Sequence, residues 1–110
     1  MDTRTMLKGE VKAQIKAFRK ALEDESGEEI ESLINDVLGI EFTRSINGEF
    51  RGFSLTLCLG GPNVYLTHHV SQSEAVVEGY WAGDSVKIQL GIVESDILFD
   101  YMEELADCMA

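Results

Sequence analysis

Proline occurs once and cysteine twice in these 110 residues, and only nine bases stand against twenty acids. A single proline (Pro62) and a 45% apolar fraction belong to a folded domain and exclude a disordered acidic tail. The two cysteines, Cys58 and Cys108, lack C-x-x-C spacing and fit reduced, buried thiols rather than a disulfide or a nucleophile. No apolar run approaches the roughly 18 residues of a membrane-spanning helix. The opening MDTRTMLKGEVK lacks the apolar core of a signal peptide, so the chain reads as cytoplasmic. The shortage of bases, a formal net charge of −11, excludes a general coat for bare DNA or RNA, because binding phosphate by counterion release needs a basic surface. It argues equally against an anionic membrane as partner.

What remains is a pattern of elements read as one domain over 1–110. Leu7, Val11, Ile15, Phe18 and Leu22 recur at helical spacing, which predicts a helix over 4–25. Ser26 and Glu29 have the spacing of a capping box, and Ile30, Leu33, Ile34, Val37 and Leu38 form a shorter stripe ended by Gly39, predicting a second helix over 27–38. From Ile40 the period changes to two. Strands are predicted over 40–46, 49–59, 64–69, 75–81 and 86–90, with Asn47-Gly48 supplying a type I′ hairpin between the first two. In the second strand Phe53, Leu55, Leu57 and Leu59 fall on one face, with Gly52, Ser54, Thr56 and Cys58 on the other. The connections are too short for crossovers, so the strands form an antiparallel meander. After Gly91, the residues Ile97, Leu98, Tyr101, Met102, Leu105, Cys108 and Met109 lie within about 140° of helical arc, which predicts a core-facing final helix. The expectation is an α+β domain, ααβββββα, with the helices on one sheet face.

Charge is unevenly divided. Residues 1–22 carry six bases and two acids, net +4, and the remainder carries three bases and eighteen acids, net −15. Lys8, Lys12, Lys16 and Lys20 repeat at i, i+4 on the first helix, a row that reads as intramolecular pairing or solubility, or as contact with RNA or an acidic partner patch. On the last helix Asp96, Asp100, Glu103, Glu104 and Asp107 lie within about 100° of arc with no base among them. Such repulsion works against helix stability, and the row, about 16 Å long, is read either as a solvated face or as a mimic of a nucleic-acid backbone.

Other motifs carry less chemistry. His68 and His69 are strand neighbours pointing to opposite faces, so they do not share a metal, and no partner nucleophile is visible. Gly60-Gly61-Pro62-Asn63 lacks the lysine and following helix of a phosphate loop and reads as a turn. No catalytic, metal or cofactor site is therefore expected. Tyr80 and Trp81 are also strand neighbours, so one of them is expected to be exposed; flanked by Glu78 and Asp84, it has the make-up of an interface anchor.

The segments Leu59-Gly60-Gly61-Pro62-Asn63-Val64-Tyr65 and Val77-Glu78-Gly79-Tyr80-Trp81-Ala82-Gly83-Asp84, with the acidic final helix, resemble small accessory proteins of bacterial conjugative elements and phages, a class that includes anti-CRISPR and antirestriction inhibitors. The resemblance covers roughly the C-terminal half. It implies a mobile-element origin and inhibition of a defence nuclease by binding, and it assigns no residue a role. The expected partner contacts are Asp96, Asp100, Glu103, Glu104 and Asp107 with Tyr80, Trp81, Glu78 and Asp84. Two other readings stay open. One is a homodimeric adaptor that pairs the basic helix with an acidic surface of a second copy. The other is a small nuclease acting on guide RNA through His68 or His69.

Overall fold

A computed structural model describes residues 2–109. The chain runs α1 (Thr3–Glu23), α2 (Glu28–Asp36), β1 (Gly39–Arg44), β2 (Phe50–Cys58), β3 (Asn63–His69), β4 (Val76–Trp81), β5 (Asp84–Gln89) and α3 (Ile92–Met109). The five strands form one antiparallel sheet in sequence order, so the expected α+β arrangement ααβββββα stands.

Helix α1 begins where the Asp2 carboxylate accepts the Thr5 N–H at 2.7 Å. It then buries Leu7, Val11, Ile15, Phe18 and Ala21 against the sheet, the larger of them each worth about 1.5–3 kcal/mol on leaving water. Its close approach to β4 depends on Gly79, where a Cβ would lie 2.7 Å from Val11 Cγ2 and 2.8 Å from Leu7 Cδ1. Near its far end the Arg19 guanidinium donates to the Leu90 carbonyl at 2.8 Å, tying α1 to the end of the sheet.

All three helices cover one sheet face. Leu55, Val64, Leu66 and Val77 point into it fully buried, while Ser54, Thr56, Tyr65, Thr67, Glu78 and Tyr80 occupy the open face. The inward and outward sets of β2 hold through Leu57. A register shift between Thr56 and Cys58 then brings Cys58 opposite the buried Val64, and Leu59 is left exposed, so the expected alternation fails at that end.

Several local expectations are corrected. Helix α2 is shorter than 27–38, and Leu38 is exposed because its N–H is already committed to the Thr56 carbonyl in the sheet. The Ser26/Glu29 capping box does not form: the Asp24 carboxylate takes the Glu29 N–H at 3.2 Å, and Ser26 Oγ accepts only from Glu28 N. β1 stops at Arg44 rather than continuing through a wholly exposed Ile46. Asn47-Gly48 does not make a type I′ turn. Gly48 donates to the Ser45 carbonyl and is the loop's only positive-φ residue, giving a three-residue loop, and β2 carries one extra residue, Arg51, opposite the Thr43–Arg44 step of β1. The two-residue hairpin with positive φ at both positions falls instead at Ala82-Gly83, φ 51° and 85°, so β5 begins at Asp84 rather than at residue 86. Both cysteines are free, but Cys108 is exposed and Cys58 half-buried, contrary to the expected burial.

Candidate functional site

Helix α3 is positioned by contacts at each end. Near its start Ser95 Oγ accepts the buried N–H of Ala75 at 2.7 Å, which turns Ser95 inward and fixes the helix rotation. Near its end Arg44 donates to the Ala106 carbonyl at 3.0 Å, a cation at the negative pole of the helix. With that rotation the buried positions are Ser95, Leu98, Met102 and Ala106, flanked by the partly buried Phe99, Tyr101 and Leu105. The predicted stripe was therefore turned too far: Ile97, Cys108 and Met109 are exposed. Tyr101 still packs inward, and its own burial, and then the charge of Glu31 on α2, hold its phenol above the usual pKa of 10.0.

The acidic row faces outward as expected. Asp96, Asp100, Glu104 and Asp107 are exposed and Glu103 is half-buried. None of them pairs with a base. Among the described residues the one ion pair within 4.0 Å joins Lys87 to Glu78 at 3.5 Å, so Lys8, Lys12, Lys16 and Lys20, all exposed, neutralise no carboxylate at that range. Intramolecular pairing of the basic helix is thereby removed as the account of both rows. Lys12, Lys16 and Lys20 border a groove of about 560 Å³ between α1 and the edge strand β5, shared with Ile15, Arg19, Glu23 and Ile88.

The aromatic group lies elsewhere. Tyr80 is the exposed one of the pair, on the open sheet face, 6.2 Å from Tyr65 between ring centroids and hydrogen-bonded to Glu78. That hydrogen bond, then burial and the Glu78 charge, hold the Tyr80 phenol above its usual pKa. Trp81 is half-buried and packs beside Gly61 of the β2–β3 turn, with Asp84 opposite it in register. α3 is anchored at its start to Ala75, just before β4, and near its end to Arg44, which closes β1; the antiparallel register puts both at the sheet end opposite Trp81, which closes β4 about 20 Å away at about 3.3 Å per residue. Asp96–Asp107 and the group Glu78, Tyr80, Trp81, Asp84 therefore do not form one continuous surface.

The sequence did not reveal a cleft of about 350 Å³ beneath the start of α3, lined by His68, Val70, Gln72, Asp96, Phe99 and Asp100. His68 continues the inward alternation of Val64 and Leu66 and is 5% exposed. Its ring sits edge-on to Phe53 and Phe99, and its Nε2 lies 3.2 Å from the Gln72 carbonyl. Its Nδ1 is buried with no hydrogen-bond partner. His69 points the other way, as expected, with Nδ1 at 2.8 Å from Ser71 Oγ. The strand alternation set His68 and His69 on opposite faces and read them as a pair at the sheet margin; it did not show that His68 is the buried one, because that depends on the roof formed by α3.

No protein family, curated protein or solved structure matches the chain. Among the described residues no helix is long and apolar enough to cross a membrane.

Proposed function

We propose that this chain is a non-enzymatic inhibitor from a mobile element that binds a bacterial defence nuclease, of CRISPR or restriction type, by presenting α3 to the enzyme's basic nucleic-acid groove. The observation that carries the reading is the unneutralised acidic face: Asp96, Asp100, Glu104 and Asp107 are exposed along one rigid helix and no described base pairs with them. A fixed row of carboxylates attracts a basic channel over distances of about a Debye length and speeds encounter with it. Glu78, Tyr80, Trp81 and Asp84, at the far end of the strands, belong to a second and separate contact.

Capture from a bacterial lysate, followed by competition with the captured enzyme's nucleic acid across a salt series, tests the reading. Binding is expected to weaken steeply with salt and to be lost in Asp100→Lys/Glu104→Lys/Asp107→Lys. Recovery of no nucleic-acid enzyme, or retention of binding by that triple variant, sinks it. The unpaired lysine row on α1 favours one second reading, a homodimeric adaptor in which that row docks on the α3 acids of another copy. Sedimentation separates the two, because a mass independent of concentration and salt excludes the dimer.

A further inference from the structure

We infer that the groove between α1 and β5 receives an extended acidic segment of a partner protein, which adds to the free edge of β5 as a further strand of the sheet. The inference goes beyond the inhibitor reading and does not rest on it, since none of the α3 acids lines this groove. The first observation is an open hydrogen-bond ladder. β5 is the last strand of the sheet. The two-residue turn at Ala82-Gly83 makes Trp81 and Asp84 a hydrogen-bonded pair, so Gly79 with Val86 and Val77 with Ile88 follow in the same phase. The Leu90 N–H, donated to the Ala75 carbonyl at 2.9 Å, continues that phase. The N–H and C=O groups of Ser85, Lys87 and Gln89 therefore point away from β4, and such an edge is a template for another extended chain.

The second observation is charge beside that edge. Lys12, Lys16, Arg19 and Lys20 line the groove against a single carboxylate, Glu23, and none of them forms an ion pair among the described residues. Arg19 is held by its Nε–H on the Leu90 carbonyl, which leaves the two terminal nitrogens of the guanidinium for a ligand. The third is spacing. Leu7 and Val11 lie against Gly79, the register partner of Val86, and Arg19 reaches Leu90, so α1 and β5 run side by side in the same direction. Lysines at i, i+4 are about 6 Å apart along α1, close to the roughly 6.6 Å between alternate residues of a strand. A strand laid on β5 thus sets successive inward side chains beside successive lysines, over the apolar floor of Ile15 and Ile88. Lysines next to an edge deter apolar strands and symmetric pairing of two β5 edges, which would bring two lysine rows together, but they attract an acidic strand. A nucleic-acid strand would satisfy the lysines, yet it has no series of N–H and C=O groups to pair with Ser85, Lys87 and Gln89.

The test adds a blocked peptide, Thr-Glu-Thr-Val-Thr-Glu-Thr, to ¹⁵N-labelled protein and follows the backbone amides of Ser85, Lys87 and Gln89. All three are expected to shift saturably and to exchange with solvent at least tenfold more slowly in the complex. Glutamine in place of both glutamates is expected to weaken binding at least tenfold. N-methylation separates strand pairing from charge alone, because alternate residues of a strand turn their N–H groups to opposite edges. Methylating the two central threonines, which pair with β5 in an antiparallel strand, is expected to abolish the response; methylating the two glutamates, whose N–H groups face away, is expected to change it less than threefold. Lys12→Gln/Lys16→Gln is expected to weaken binding at least tenfold, and Arg4→Gln/Lys8→Gln, which removes the same charge from α1 outside the groove, less than twofold. Unmoved β5 amides, equal effects of the two methylated peptides, or equal effects of the two double variants overturn the site. An equal shift of those amides by the trinucleotide UpUpU, which carries the same two negative charges, assigns the groove to RNA and overturns it as well. So does a mass that rises with concentration while the β5 amides are protected without peptide, the sign of a second copy on that edge. Nuclease inhibition enters none of these measurements, so failure of the groove and failure of the inhibitor reading are told apart.

Discussion

Replacing three glycines in turn by alanine should change stability in different directions, and the signs follow from what each new methyl meets. At Gly52 an added Cβ would lie 2.5 Å from the backbone oxygen of His68 and 3.0 Å from His69 Cα. Those are main-chain atoms of the adjacent strand, so relief requires parting β2 from β3 in the middle of the sheet. Overpacking of this kind costs about 3 kcal/mol, the upper end of the usual range, because no side chain can rotate aside. Gly52 does not use a left-handed backbone, so alanine recovers about 0.4–1 kcal/mol by restricting the unfolded chain. The net loss is about 2 kcal/mol, or about 8 °C in Tm for a domain of this size. Gly79→Ala meets only the side-chain ends of Val11 and Leu7, at 2.7 and 2.8 Å, and should cost less, about 1 kcal/mol. Gly9, on the exposed side of α1 with nothing within 4 Å of its added Cβ, should gain about 0.5–1 kcal/mol as alanine through helix propensity alone. Urea unfolding followed by far-ultraviolet circular dichroism, with Trp81 fluorescence as a second probe, gives the three midpoints. A Gly52→Ala midpoint at or above that of the parent would refute the packing argument, whatever Gly9→Ala does.

Ser95→Ala strands the buried Ala75 N–H, now held at 2.7 Å, and should cost about 1–3 kcal/mol in the same urea assay. The Asp24 carboxyl is held below its usual pKa of 3.8 by the Ser26 hydroxyl and the Glu29 N–H, and Asp2 is lowered likewise by Thr5. A carboxyl depressed in the folded state contributes stability above its unfolded pKa and loses it as pH falls through the folded value. Amide exchange at Thr5 and Glu29 should therefore quicken as pH drops below about 4, after correction for intrinsic rates, and Asp24→Asn should remove that response at Glu29 alone. Absorbance titration should find Tyr80 and Tyr101 ionising above pH 10.0, with Glu78→Ala bringing down only Tyr80, since burial rather than Glu78 raises Tyr101.

How far the fold could be read from residues depended on whether the deciding partner was local. The change of period at Ile40 and the short connections are local, and they determined the element order; which sheet face the helices cover was not legible, because it depends on how α1 and α3 pack on Leu55, Val64, Leu66 and Val77. The rotation of α3 was not local. Apolar residues surround much of that helix, from Ile92 and Val93 through Ile97 and Leu98 to Leu105, so periodicity had no unique solution. A polar residue, Ser95, settles it by bonding to Ala75 twenty positions earlier. The hairpins failed for a related reason: Asn-Gly favours positive φ, but only Gly48 takes it, in a three-residue loop followed by an extra β2 residue at Arg51, and the tight turn falls at Ala82-Gly83. The acidic row was legible because it needs only helical spacing. The cleft was not, because it needs α3 laid over His68.

The acidic row is a cost that the fold can bear, and this gives a way to separate recognition from solubility. Asp96–Asp100, Asp100–Glu104 and Glu103–Asp107 are like-charge pairs at i, i+4, each unfavourable by about 0.2–0.5 kcal/mol. Burial of Leu98 and Met102 on the opposite side outweighs their sum several-fold. A single base in the row should thus stabilise the protein. Glu104→Lys removes one repulsive pair and creates the favourable order Asp100 to Lys at i, i+4, with the new cation toward the C-terminal end of the helix, a gain of about 0.5 kcal/mol. If the row exists only to solvate the surface, binding to a captured nuclease should be unaffected by that change. If the row engages a basic groove, the same substitution places a cation against cations, so stability rises while affinity falls at least tenfold and its salt dependence flattens. A variant that gains stability and keeps full affinity would leave the acidic face no role in recognition.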